Sequence, residues 1–79
     1  MSYIEDLEND GFRRERTVIP VESVEVPLLI IETWRHSTKP FEIGCHSFSH
    51  GTLWSLFRNR VAIQESKNLQ EILDVFHGN

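Results

Sequence analysis

The 79 residues hold one cysteine, Cys45, so no internal disulfide framework is available, and a reducing compartment suits the chain. Glycine and proline are sparse, at four and three residues. None of the glycines falls in a G-x-G or Walker-type pattern, which excludes the familiar phosphate-cradling loops. No apolar run approaches the roughly 20 residues that span a bilayer. The opening Met1-Ser2-Tyr3-Ile4-Glu5-Asp6 is acidic, where a secretory leader is basic and then apolar. A cytoplasmic location without membrane contact is the expectation. Positive charge is scarce as well: 8 Lys and Arg stand against 12 Asp and Glu, for a net charge of -4. Without a stripe of Lys and Arg to displace counterions, nucleic acid is not an expected partner.

What is present describes one small folded unit over residues 1–79. A hydrophobic content of 39% with 25% charged residues is ordinary for a globular domain. Glu5, Asp6, Glu8 and Asp10 carry the whole acidic excess; beyond them the two signs cancel. At this length apolar burial and chain entropy nearly balance, so a lone copy profits from a metal, a partner or the remainder of a larger domain.

Local signals mark out the elements. Ser2 and Glu5 form a capping box and Gly11 supplies a stop, which predicts a helix over 3–10. Residues 12–19 read as a strand ended by Pro20. Residues 21–37 carry both patterns. Pro27 at a first helical position, with Leu28, Ile31 and Trp34 three apart, tips them towards helix, although Leu28 to Ile31 would also suit a buried strand. Phe41, Ile43 and Cys45 alternate as a short strand. From Thr52 onward Leu53, Leu56 and Phe57, then Ala62, Leu69, Leu73 and Phe76, share helical faces, with Gly78 as the last stop. The order α-β-α-β-α predicts an α/β fold with parallel strands and an incomplete sheet.

Chemistry concentrates in Glu42-Ile43-Gly44-Cys45-His46-Ser47-Phe48-Ser49-His50. Two histidines four apart could aim at one zinc ion, which needs a third protein ligand and keeps one position for water. They could equally be surface histidines, because a bare H-x3-H is a common spacing. Cys45 as a nucleophile is disfavoured, since alternate strand residues face opposite ways and His46 would point away from it. Ser47 and Ser49 lack the glycine-flanked elbow of a serine hydrolase. A four-ligand structural site from His36, Cys45, His46 and His50 fits no finger or ribbon spacing. Trp34, Trp54, Phe57 and Phe76 read as core.

The segment Phe41 to His50 resembles the second motif of the polysaccharide deacetylases (the NodB-homology family), whose pattern is EIG-x-H-[ST]-x-x-H. Gln64 to Leu73 resembles the long helix after that motif, and Pro27 to Ile31 the helix before it. The resemblance is specific over residues 40–76 and loose over 1–39. It implies a slice of a distorted (β/α) barrel, with His46 and His50 as ligands of zinc or a similar divalent cation. The implied reaction is hydrolysis of acetyl groups from acetylated polysaccharide, in which the metal polarises the carbonyl and acidifies its water. The family's aspartate base, third ligand and acid histidine have no counterpart here, so the resemblance implies a truncated domain, inactive alone, with no catalytic residue to name. The second reading is a small protein-interaction or self-associating module without catalysis, paired with a second copy or with another part of a larger domain.

Overall fold

Ser2 caps the first helix, its Oγ accepting from the Ile4 amide at 3.1 Å. That helix, α1, runs over Tyr3–Asn9 in a computed structural model that describes residues 2–19 and 28–79. Among the described residues five strands follow: β1 (Phe12–Val18), β2 (Leu28–His36), β3 (Phe41–Phe48), β4 (Gly51–Arg58) and β5 (Val61–Ser66). The helix α2 closes the chain over Leu69–His77, capped by Asn68, whose side chain accepts from the Gln70 amide at 2.9 Å. The strands lie in sequence order, each antiparallel to the next. The fold is therefore a small antiparallel meander with two short helices, not an α/β barrel slice with parallel strands.

Both helices pack on one face of the sheet. Leu7 of α1 and Ile72, Leu73 and Phe76 of α2 share a single core with Phe12, Trp34, Ile43, Cys45, Trp54 and Leu56. Phe76 is the hub at one end, edge-on to Phe12 and Phe41 with centroids 4.9 and 5.2 Å away. Gly11 makes the first reversal possible. Its φ is +94°, and a Cβ there would lie 2.7 Å from His36 Nε2, so only glycine fits. The His36 ring is held as one tautomer. Nδ1 accepts from the Thr38 and Lys39 amides at 3.1 and 3.0 Å, which leaves Nε2–H to donate to the Asp10 carbonyl at 3.0 Å.

Two expected helices are strands. Residues 28–36 form β2, because Glu32 and Trp34 point into the core while Ile31, Thr33 and Arg35 line the other face. The three-residue spacing of Leu28, Ile31 and Trp34 does not govern the segment; pairing on both sides does. Residues 52–66 form β4 and β5. Trp54 and Leu56 face the helices, while Leu53 and Phe57 are half-buried on the opposite side. Both faces of β4 carry apolar residues, which imitates a helical stripe. The break between these strands is the two-residue turn Asn59-Arg60, with φ of 50° and 67°. It has the conformation of a type I′ hairpin turn without the customary glycine. The expected long helix over 64–73 is accordingly strand to Ser66 and helix only from Leu69. Pro20 and Pro27, invoked as a strand end and a helix start, lie outside the described residues.

Candidate functional site

On the helix-covered face one carboxylate stands among the apolar residues. Glu32 is only 5% exposed. Its Oε1 accepts from the Tyr3 hydroxyl at 3.0 Å and from Trp34 Nε1 at 3.4 Å, and its Oε2 pairs with Arg14 Nη1 at 3.0 Å. Arg14 also lies over the Trp34 ring, 5.6 Å from its centroid. Cys45, the cross-strand neighbour of Glu32, is buried with its Sγ 3.7 Å from Ser47 Oγ. Burial pushes the Cys45 thiol up from its ordinary value, the Glu32 charge adds to this, and Ser47 opposes it. Burial likewise raises the Tyr3 phenol, reinforced by its hydrogen bond to Glu32. A thiol and a phenol held in their neutral forms are poor nucleophiles and poor bases at neutral pH. The cluster ties α1 to the sheet.

The opposite face has no helix over it among the described residues. Register places Val18, Ile31, His46 and Leu53 side by side across four strands. The next row on this face is Arg16, Thr33, Gly44, Ser55 and Glu65, small at its three central positions, and the row beyond is Arg35, Glu42 and Phe57. Small residues between two taller rows make a trough. Phe57 leans across it, and a Cβ on Gly44 would lie 3.3 Å from its ring. The resulting groove has a volume of about 520 Å³, with Ile31, His46 and Phe57 along it and Arg35, Glu42 and Arg60 at one end.

The two histidines singled out from the sequence do not line the same recess. His46 belongs to the open-face groove. His50 sits in the β3–β4 turn, stacked on Phe48 with centroids 5.7 Å apart and planes at 28°, in a separate depression with Leu53 and Lys67. His36 is consumed by the three contacts described above, at the other end of β2 and β3. Among the described residues no three of His, Cys, Asp and Glu gather in a way that could hold a metal ion. The strand carrying Glu42 to Phe48 is the centre of an antiparallel sheet.

Sequence reasoning missed Glu32, Arg14 and Tyr3 as a unit, as well as the Gly44 trough. The signal for the first was visible: Glu32 stands two residues from Trp34 in a strand, on the same face, and a carboxylate beside a core tryptophan must find partners. The trough had none, because it is assembled from single residues of three strands. Compared with known proteins, the chain matches no family model, no curated protein and no solved structure.

Proposed function

We propose that this chain is a non-catalytic self-associating module in which the open faces of two sheets pack against each other. The observation that carries this reading is the row Val18–Ile31–His46–Leu53 beside the Thr33–Gly44–Ser55 trough. It is a ridge, apolar except for His46, next to a depression on one surface. Such a surface is self-complementary under a two-fold axis, and aligned sheets at about 30° interdigitate in this way.

Area and charge support the same occupant. Eight-residue strands at about 3.3 Å per residue, four abreast at about 4.8 Å, give a footprint of about 500 Å² on each copy. The total is on the order of 1,000 Å², at the threshold of a specific interface. The acidic residues Glu5, Asp6 and Glu8 ride on α1, on the far side of the sheet. The open face carries Arg35 and Arg60 with Glu42, so each copy offers groups of both signs to the other. Edge-to-edge pairing is less favoured. Strand β1 presents Arg13, Arg14, Glu15 and Arg16 with a register shift, and β5 is interrupted by a register shift of its own.

Sedimentation equilibrium over a concentration series tests the reading. A reversible dimer is expected for the unmodified chain and a monomer for Ile31→Lys, with the far-ultraviolet circular dichroism unchanged. Ile63→Lys, on the β5 edge, is expected to leave the dimer intact. A monomer at all concentrations, or a dimer lost only with Ile63→Lys, overturns the proposal.

A further inference from the structure

At the end of the sheet where the β2–β3 and β4–β5 turns meet, a recess of about 280 Å³ is lined by Arg35, Lys39, Pro40, Glu42, Asn59 and Arg60. Three cations face one carboxylate there, in a protein whose net charge is -4. Their states differ. Arg35 Nη2 is 3.3 Å from Glu15 and 4.0 Å from Glu42. The Lys39 ammonium lies over the Phe76 ring, 5.4 Å from its centroid. Arg60 makes no ion pair or side-chain hydrogen bond among the described residues.

The backbone under Arg60 adds an independent observation. Its φ of 67° is a left-handed conformation that a bulky side chain adopts at a cost. It occupies the second position of a type I′ turn, where glycine after asparagine is the favoured pair. The preceding residue, Asn59, is already the favoured one, and its amide donates to the Pro40 carbonyl at 2.9 Å, which fixes one turn against the other. The turn would thus be more stable with glycine, and the arginine it carries projects into the recess. Strain held at one residue whose side chain meets a cleft is the pattern of a binding position.

We propose that this recess is an oxyanion site, in which Arg60 and Arg35 take the phosphate or carboxylate group of a small ligand. A guanidinium presents paired N–H donors that match either oxyanion. Arg60 is free to engage, and Arg35 exchanges its long contact with Glu42 for the ligand. The site lies at the sheet's end and adjoins the face proposed above for pairing, since Arg35, Glu42 and Arg60 border both recesses. The phosphate comparison between unmodified and Arg60→Gly chains is read at one protein concentration, so it stands or falls apart from the dimer.

Thermal unfolding in inorganic phosphate, in acetate and in chloride at matched ionic strength tests the proposal, with Arg60→Gly as the key variant. Phosphate strengthens burial in any protein by exclusion from its surface, so the diagnostic quantity is the difference between the two chains. In chloride, Arg60→Gly is expected to raise Tm by about 4–8 °C, from relief of the left-handed conformation. Against that higher baseline, the variant is expected to lose several degrees of the phosphate-induced shift, whereas Lys67→Gln keeps the full shift. A response to phosphate alone assigns a phosphate ligand, and an equal response to acetate assigns a carboxylate. Equal phosphate shifts in the unmodified and Arg60→Gly chains overturn the site. A chloride Tm that is unchanged or lowered by Arg60→Gly overturns the strain on which it rests.

Discussion

The Tyr3 hydroxyl donates to Glu32 Oε1 at 3.0 Å across 29 residues of sequence, joining the first turn of α1 to the middle of β2. Leu7 alone of α1 is fully buried among the core residues, so this hydrogen bond fixes how a seven-residue helix sits on the sheet. Tyr3 also stands edge-on to Trp34 and Trp54, at 6.3 and 5.4 Å, which sets the ring from two sides.

Removing the acceptor tests that anchor. Glu32→Ala leaves the Tyr3 hydroxyl, the Trp34 indole N–H and the Arg14 guanidinium without their common partner. A destabilisation of about 3 kcal/mol is expected from the loss of a buried, multiply bonded carboxylate. Glu32→Gln keeps an acceptor for Tyr3 and is expected to cost about half as much. Urea unfolding of both variants measures the difference.

Gly11→Ala is expected to destabilise by about 2 kcal/mol or more. The new Cβ meets the His36 ring, and the φ of +94° is adverse for any side chain. Gly44→Ala meets only the edge of the Phe57 ring at 3.3 Å and is expected to cost less than half of that. Comparison of the two denaturation midpoints checks the order.

Alkaline pH is expected to weaken the fold. Burial raises the phenol of Tyr3 above 10.0 and the thiol of Cys45 above 9.0. Each folded-state value exceeds its unfolded one, so the neutral forms contribute stability that is whole below the unfolded values and lost as pH rises through the folded ones. Tm measured from neutral pH upward is expected to hold steady and then fall from about pH 9. Tyr3→Phe is expected to flatten the part above about pH 10. A thiol reagent at neutral pH is expected to label Cys45 far more slowly in the folded chain than in urea.

Zinc provides a direct check on the histidines. His46 and His50 line separate recesses, so equimolar zinc is expected to leave Tm unchanged, and His50→Ala is expected to alter neither Tm nor its response to zinc. A zinc-dependent rise in Tm that disappears with His50→Ala would restore a shared coordination point.

The outer parts of the chain were legible because their signals are local. The Ser2 cap, the Gly11 reversal and the Phe12–Val18 strand each depend on neighbouring residues, as does the end of the last helix at Gly78, although its start at Leu69 and its Asn68 cap were not marked. The middle misled for a physical reason. A strand flanked on both sides, with apolar residues on both faces, loses the alternation that distinguishes it from a helix. Leu53, Trp54, Leu56 and Phe57 show the effect, and the Asn59-Arg60 turn concealed the boundary by lacking glycine. The Glu42 to His50 segment groups two histidines by their spacing alone. In the sheet, the alternation of β3 sends Cys45 into the core and His46 to the open face, and His50 is left in the turn.

The strict sequence order of the five strands bears on how the chain assembles. Two-residue turns join β3 to β4 and β4 to β5, and residues 37–40 join β2 to β3. Each added hairpin therefore closes only a short loop onto a neighbour already formed. Assembly can spread outward from the Phe41–Arg58 hairpin, with the longer β1 connection closing last, so mutations in β1 should quicken unfolding while leaving the rate of folding almost untouched.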